Sequence, residues 1–347
     1  MKSKQGENKL RKNFDYQQMN RIEGSLLGLY IGDAMGAQVE FQAVANIMKR
    51  FKDPYTGRYE MDMRDGGTHN LLAGQVTDDS EMAMALIHSM SPESGYSVEK
   101  AKESYIDWAY SGAFDMGRTI HDALVNNTLN YESQANGALM RIAPLALAYC
   151  DASEETLADL ARQDAMITHP NIICQECNVL YCLAIAKLVN GHTNLDVYDY
   201  VLDYAITNGF SDEVILALKE AGHKTHNNFG YKQGWVLIAF QNAFYCLLHC
   251  WNLHEVFKST ILRGGDTDTN AAIAGALYGA SIGEDEILPE WKRIIKDCHP
   301  HMRNDAIVDN PRPKKYCACF YEDHVAKLYE ISQKVYELNR LEPSVNQ

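Results

Sequence analysis

Residues 264–283 read GGDTDTNAAIAGALYGASIG, and this stretch sets the fold and the chemistry expected of the chain. After two glycines come Asp266, Asp268 and Thr269, then Asn270 and an alanine-rich run of strong helix formers. A second stretch, VTDDSEMAMALIHSM at 76–90, has the same design, with Thr77, Asp78 and Asp79 ahead of an apolar helix. Taken singly, each cluster reads first as a helix start, because Thr and Asp are favoured N-caps and acidic first-turn residues complement the helix dipole. Asp78 and Glu81 even have capping-box spacing, with Asp in place of Ser or Thr. One side chain satisfies a cap, however. Two clusters of hard oxygen donors on rigid helices exceed that need and suit a pair of magnesium ions.

Outward from these stretches the pattern is helical and strand signals are scarce. Helices are expected near 20–37, 77–91, 98–110, 115–127, 138–150, 153–166, 173–190, 194–207, 211–221, 234–250 and 322–341, besides the one that follows Asp266. Glycines 24, 28, 32 and 36 fall on one helical face, and Gly275, Gly279 and Gly283 on another. We expect these two faces to meet, carrying Asp33 and Glu40 toward 266–269. Residues 42–75, with Pro54 and Gly57, Gly66, Gly67 and Gly74, read as a loop-rich excursion, either a surface connection or a lid.

The 347 residues, 46% apolar, can bury a large core. No composition shift marks a boundary, so the expectation is one compact all-α domain over 20–342, between a basic flexible arm at 1–19 and a tail at 343–347. The arm holds Lys2, Lys4, Lys9, Arg11 and Lys12; Arg312, Lys314 and Lys315 form a second basic cluster. A net charge of −14 argues against broad nucleic-acid binding. No uninterrupted apolar run reaches the roughly 18–20 residues of a membrane span, and the N-terminus lacks a signal segment, so a cytoplasmic protein with no membrane partner is expected. Nine cysteines in apolar contexts read as reduced, buried thiols. Cys174 with Cys177, and Cys317 with Cys319 downstream of His299 and His301, leave structural zinc as an alternative, although the spacings match no strong template.

Five segments, GSLLGLYIGDAMGAQVEF (24–41), GQVTDDSEMAMAL (74–86), NGALMRIAP (136–144), THPN (168–171) and RGGDTDTNAAIAGALYGA (263–280), resemble those of the ADP-ribosylglycohydrolase family and occur in its order. That family includes the dinitrogenase-reductase-activating glycohydrolases and the eukaryotic ADP-ribosyl-acceptor hydrolases. The resemblance implies an orthogonal helical bundle. It also implies a metal-dependent hydrolase that removes ADP-ribose from a modified acceptor, a protein side chain first among the candidates, and releases ADP-ribose. A catalytically inactive ADP-ribose-binding or scaffold protein of the same fold is the alternative.

By the same resemblance two Mg²⁺ ions, with Mn²⁺ an alternative, sit among Thr77, Asp78, Asp79, Asp266, Asp268 and Thr269. Glu40 is the expected proton acceptor, with Asp78 and Asp79 also catalytic. Asp33 reads as a carboxylate that orients metal ligands, or equally as a helix cap or a solvated charge. ADP-ribose contacts are implied at Gln134, Asn136, Gly137, Met140, His169 and Phe244. Phe244 reads equally as a core aromatic, and Arg141 reads as half of a structural ion pair. Ser80 departs from the threonine many relatives carry after TDD but keeps the hydroxyl.

Overall fold

The computed structural model describes residues 2–301 and 309–341, with side chains over 16–301 and 309–340. In chain order its helices are α1 (Lys2–Gly36), α2 (Val44–Phe51), α3 (Asp78–Ser89), α4 (Val98–Ala109), α5 (Arg118–Leu124), α6 (Ala143–Ala148), α7 (Glu154–Met166), α8 (Ile172–Val189), α9 (Asn194–Thr207), α10 (Asp212–Ala221), α11 (Val236–His249), α12 (Leu253–Ile261), α13 (Thr267–Ile282), α14 (Pro289–Asp297) and α15 (Tyr321–Leu341). No strand occurs among the described residues, and the helices form one bundle, as expected. The basic side chains of the expected arm, and the tail, lie outside the described residues.

Small residues decide how the bundle is assembled. α1 and α13 run antiparallel with backbone against backbone. A Cβ on Gly24 would stand 2.6 Å from the Gly279 carbonyl oxygen, one on Gly28 2.7 Å from the Gly275 carbonyl carbon, and one on Gly36 2.5 Å from Thr267. Real carbon atoms do not approach so closely, so any side chain there must force the helices apart. Cross-links in the seam use backbone acceptors: Ser25 Oγ donates to Ala276 O at 2.9 Å and Thr267 Oγ1 to Gly36 O at 2.8 Å. The glycine faces therefore meet as expected, and Glu40, four residues past α1, arrives beside the start of α13.

α13 is buried on every side from Thr267 to Ala280. Its other neighbours include α8, α11 and α12, consistent with a helix that is apolar or small all round. α8 is similarly enclosed. Its 18 residues are apolar enough to cross a membrane, which the run-length reading missed, but 83% of them are buried inside the bundle. It is a core helix.

Four local expectations need correction. The helix expected over 138–150 is a 3-10 turn at Asn136–Ala138 followed by the short α6, because Pro144 has no N–H to give and suits a first helical turn. The helix expected over 115–127 contracts to α5, leaving 115–117 as irregular chain. α2, α12 and α14 were unanticipated. The 42–75 excursion is a buttress more than a lid: Gln38 donates to Asp62 O at 3.0 Å and accepts from Arg64 N at 3.0 Å and from the Arg50 guanidinium, anchoring the excursion under Glu40.

Gly28→Ala should lower the free energy of unfolding by about 3 kcal/mol, since overpacking here pushes on main chain that has no rotamer to yield. Urea unfolding measures it. A loss below about 0.5 kcal/mol would mean that the two helices are not in contact as described.

Candidate active site

Asp33 is the junction of the site. It is fully buried on α1, and its carboxylate accepts from Thr77 N (3.0 Å), Thr77 Oγ1 (2.9 Å), Ser80 N (3.0 Å) and Ser80 Oγ (2.5 Å). The start of α3 is thus capped from another helix, which corrects the capping-box reading of Asp78 and Glu81. Glu81 instead takes a bidentate grip from Arg312 at 2.7 and 2.8 Å and accepts from Trp108 Nε1 at 2.8 Å. Arg312 is buried in that pair and does not belong to an exposed basic cluster. Ser80 keeps the hydroxyl because Asp33 uses it.

With α3 locked onto α1 and α1 onto α13, the two acidic helix starts meet. Oxygens of Glu40, Asp266 and Asp268 lie within 4.8 Å of one another, all three residues being buried. Asp78, Asp79, Asp33 and Asp115 complete a group of seven carboxyl groups that act on one another electrostatically. Burial, reinforced by these neighbours, pushes Asp78, Asp79 and Asp268 well above the usual carboxylate range. Burial also raises Glu40 to about 7, aided by Asp115 and Asp266 and opposed by a hydrogen bond from His69. Asp33 rises only to about 6, because its four donors favour the charged form. His69 stands between Asp115 (3.3 Å) and Glu40 (3.4 Å), and the two carboxylates raise it to about 10.

The cluster forms the floor of a cleft of about 440 Å³ whose walls are Asp115–Ile120 and the segment Ala135–Met140, with His169 and Gly234. Asn136 Nδ2 donates to Asp266 Oδ2 at 2.7 Å, so wall and floor are joined. Arg141, fully buried, donates to Asp164 (3.2 Å), to Gly137 O (3.3 Å) and to Thr168 Oγ1 (2.7 Å), the structural ion pair expected. Thr168 Oγ1 in turn lies 2.7 Å from His169 Nδ1. The chain is satisfied when the hydroxyl donates to Nδ1, which leaves Nε2 as the N–H. That Nε2 is buried, has no partner, and would stand 3.2 Å from a Cβ on Gly137, at the cleft wall. Burial and the Arg141 charge lower His169 to about 3, so it meets a ligand as a neutral donor.

Of the residues singled out from the sequence, Glu40, Asp78, Asp266, Asp268, Thr269, Asn136, Gly137, Met140 and His169 line this cleft. Thr77 and Asp79 lie buried beside its floor. Gln134 does not line it: its Oε1 accepts from Trp235 Nε1 at 2.7 Å in a neighbouring groove. Phe244 is a correction. It is fully buried, its ring packs on Phe240 at 4.9 Å, and it borders no part of the cleft. His69, Asp115 and the 116–120 wall were missed. Phe41, 56% exposed beside Glu40, is held at a φ of 56° by its N–H bond to Gly265 O, a strained conformation of the kind found at functional sites.

The donor set fits a divalent cation. Carboxylate and hydroxyl oxygens crowd one buried place, and Asp79 Oδ1 is left without a partner.

The family model described as ADP-ribosylglycohydrolase matches residues 15–316. An ADP-ribosyl-dinitrogen-reductase glycohydrolase of Rhodospirillum rubrum is 28% identical over 289 residues, 78% of this chain and 89% of the relative. The ADP-ribosylarginine hydrolase Tri1 of Pseudomonas putida is 25% identical over 291 residues, 79% and 74% of the two chains. A solved chain of an ADP-ribosylglycohydrolase-related protein complex matches with TM-score 0.70 and 22% identity, covering 92% of this chain and 99% of its own.

The pH dependence of metal binding follows from these shifts. A carboxylate raised in the folded state binds its proton more tightly than when unfolded. Its stabilising contribution is full below the ordinary value of 4.5 and is lost as pH rises through about 7 for Glu40. A dication held beside Glu40 disfavours that proton, so the rise in Tm on adding MgCl₂ should be small near about pH 5 and largest near about pH 8. Asp268→Asn should remove most of the rise. A gain independent of pH, or intact in that variant, would place the cation elsewhere.

Proposed function

This chain belongs to the ADP-ribosylglycohydrolase family and hydrolyses the bond between ADP-ribose and an acceptor, and we propose that it does so in the acidic cleft with two magnesium ions. The observation that carries this reading is the convergence of Glu40, Asp266 and Asp268 within 4.8 Å at the floor of a cleft whose wall holds Asn136, Gly137 and His169. Its volume of about 440 Å³ lies within the roughly 300–1,000 Å³ usual for small-molecule sites.

Thr77, Asp78, Asp79, Asp266, Asp268 and Thr269 would hold the ions, which when bound supply Lewis-acidic charge that offsets the carboxylate repulsion. Glu40 takes a proton from the attacking water. Burial among like charges raises it to about 7, and bound cations would lower it from there, leaving the carboxylate ionised to accept that proton at neutral pH. His69 holds the Glu40 carboxylate from one side. Asn136 fixes Asp266 and lines the cleft wall. The His169 Nε2–H and the backbone around Gly137 hold the diphosphate or ribose, and a neutral imidazole does so without adding a charge that would compete with the ions. Arg141 keeps that wall in place and does not touch substrate.

Release of ADP-ribose from arginine-, serine- and nucleic-acid-linked substrates, with and without EDTA, tests the reading and identifies the acceptor. EDTA and Asp268→Ala should each reduce turnover by roughly 100-fold or more. Glu40→Gln should lower kcat about 10²–10⁴-fold while still binding ADP-ribose. Equal rates under all three conditions would overturn the assignment, and ADP-ribose binding without turnover of any linkage would favour a reader instead.

His169→Ala should act differently, raising KM roughly tenfold with kcat little changed, because one hydrogen bond to the bound nucleotide is lost. A fall in kcat alone would instead place His169 at the reacting bond.

A further inference from the structure

The connection between α14 and α15 carries donors of another kind. His299, His301 and Cys319 each place one ligand atom within 4.8 Å of the others. Nδ1 of both histidines is buried and has no hydrogen-bond partner. The two rings stand nearly perpendicular with centroids 5.5 Å apart, and His301 packs on Phe320 at 5.4 Å, so neither ring is a loose surface side chain. A buried imidazole nitrogen normally finds a donor or acceptor. Here two do not, beside a thiol.

The remaining sulfurs fit the same picture. Cys317 gives its S–H to Pro313 O at 3.4 Å and is thereby occupied. Cys298, directly before His299 and only 6% exposed, has no such partner, and the sulfurs of Cys319 and Cys317 are near enough to act on it electrostatically. Two imidazoles and a thiol are a borderline-soft set. It suits zinc and is poorly matched to magnesium, the reverse of the oxygen set in the cleft. Around a tetrahedral zinc, with Zn–N about 2.0 Å and Zn–S about 2.3 Å, neighbouring ligand atoms lie roughly 3.3–3.8 Å apart. The observed spacing needs only a modest closing of side chains.

We propose that His299, His301 and Cys319 bind a zinc ion, with solvent completing the fourth position. On binding, the Cys319 thiol releases its proton to solvent as the sulfur–zinc bond forms, with no change of oxidation state. The ion joins the chain just past α14 to the 3-10 turn Ala318–Phe320 that opens α15. Between those points lies Arg312, whose backbone N–H bonds Pro300 O at 3.2 Å and whose guanidinium clasps Glu81 in the first turn of α3. The staple therefore steadies the segment that braces the acidic helix, and it touches none of the cleft residues.

Cobalt titration of the full, reduced and metal-stripped chain, with excess Mg²⁺ present to occupy the acidic cleft, tests the site. One equivalent of Co²⁺ should produce a thiolate-to-cobalt charge-transfer band, and Zn²⁺ should abolish it and raise Tm. Cys319→Ser, at a half-exposed position where serine leaves the fold intact, should lose the band. His301→Gln should weaken cobalt binding by roughly tenfold or more. Asp268→Asn, which alters only the oxygen cluster, should leave band and affinity unchanged. No band in the unaltered chain, or an unchanged band in Cys319→Ser, would overturn the proposal. So would loss of the band in Asp268→Asn, because it would assign the cobalt to the cleft.

Discussion

The distance at which two helical backbones can lie is the constraint on which the site depends. Glycines on α1 and α13 remove the side chains that would hold the helices apart, and Gly28 then meets Gly275 main chain to main chain. At the wider spacing of roughly 8–10 Å set by ordinary side chains, Glu40 could not come within 4.8 Å of Asp266 and Asp268. The same approach fixes the other half of the site. Asp33 sits on α1 between Gly32 and Gly36, where only a helix pressed onto its neighbour could also present a carboxylate to the open N–H groups of α3. One tight seam thus orients two acidic helix starts that are far apart along the chain.

That rigidity works against charge. Two carboxylates about 4.8 Å apart repel by roughly 3–4 kcal/mol at an effective dielectric of ~20, and several such pairs would rival the 5–15 kcal/mol net stability typical of a domain. The site's own residues relieve the repulsion in two ways. Protons stay on Asp78, Asp79 and Asp268 above their usual range, and His69 lodges between Glu40 and Asp115. Helix N-termini at Asp78 and Thr267 add fixed positive potential. None of these removes the cause, and a divalent cation does.

The helical class, the meeting of the glycine faces and most of the cleft floor were legible in the sequence because each has a short-range signature. Four-residue glycine spacing marks a flat helical face, and TDD and DTDT mark helix starts too rich in oxygen to be caps alone. Other features lacked one. The wall at 115–120 has no motif, and it comes to the cleft only because α5 is shorter than the periodicity suggests. His69 sits in an excursion whose course is set by Gln38, a buried polar hub that no local pattern announces. Arg312 looks like part of a basic surface run until the fold brings Glu81 to it from 231 positions away. Some misses did carry signals. Asn252 with Glu255 has the spacing of a capped helix start, and its side chain accepts from Glu255 N at 2.9 Å. Pro289 opens α14 as prolines at a first turn do. Phe244 failed for the opposite reason, since an aromatic in an apolar helix has the same local appearance whether it faces a ligand or the core.

What separates the working residues from the supporting ones is whether their polar atoms are already spent. Asp33 accepts four hydrogen bonds, and Arg141 donates to three residues, Asp164, Gly137 and Thr168. Both are as buried as any residue in the protein, and neither has capacity left for a ligand. Asp79 Oδ1 and His169 Nε2 are equally buried and have nothing to bind. Leaving such a group unpaired costs about 1–3 kcal/mol, more when it is charged, and both of these atoms lie at or beside the cleft, where a ligand can complete them. The arrangement is also directional. Arg141 grips Thr168, Thr168 turns its hydroxyl to His169, and the imidazole presents its remaining N–H toward the cleft from the wall, while Asn136 ties that wall to Asp266. A substrate able to satisfy wall and floor together must carry an acceptor for an N–H at one end and hard oxygens for a cation at the other, joined rigidly enough to span a single cleft. A sugar diphosphate has those parts in that order.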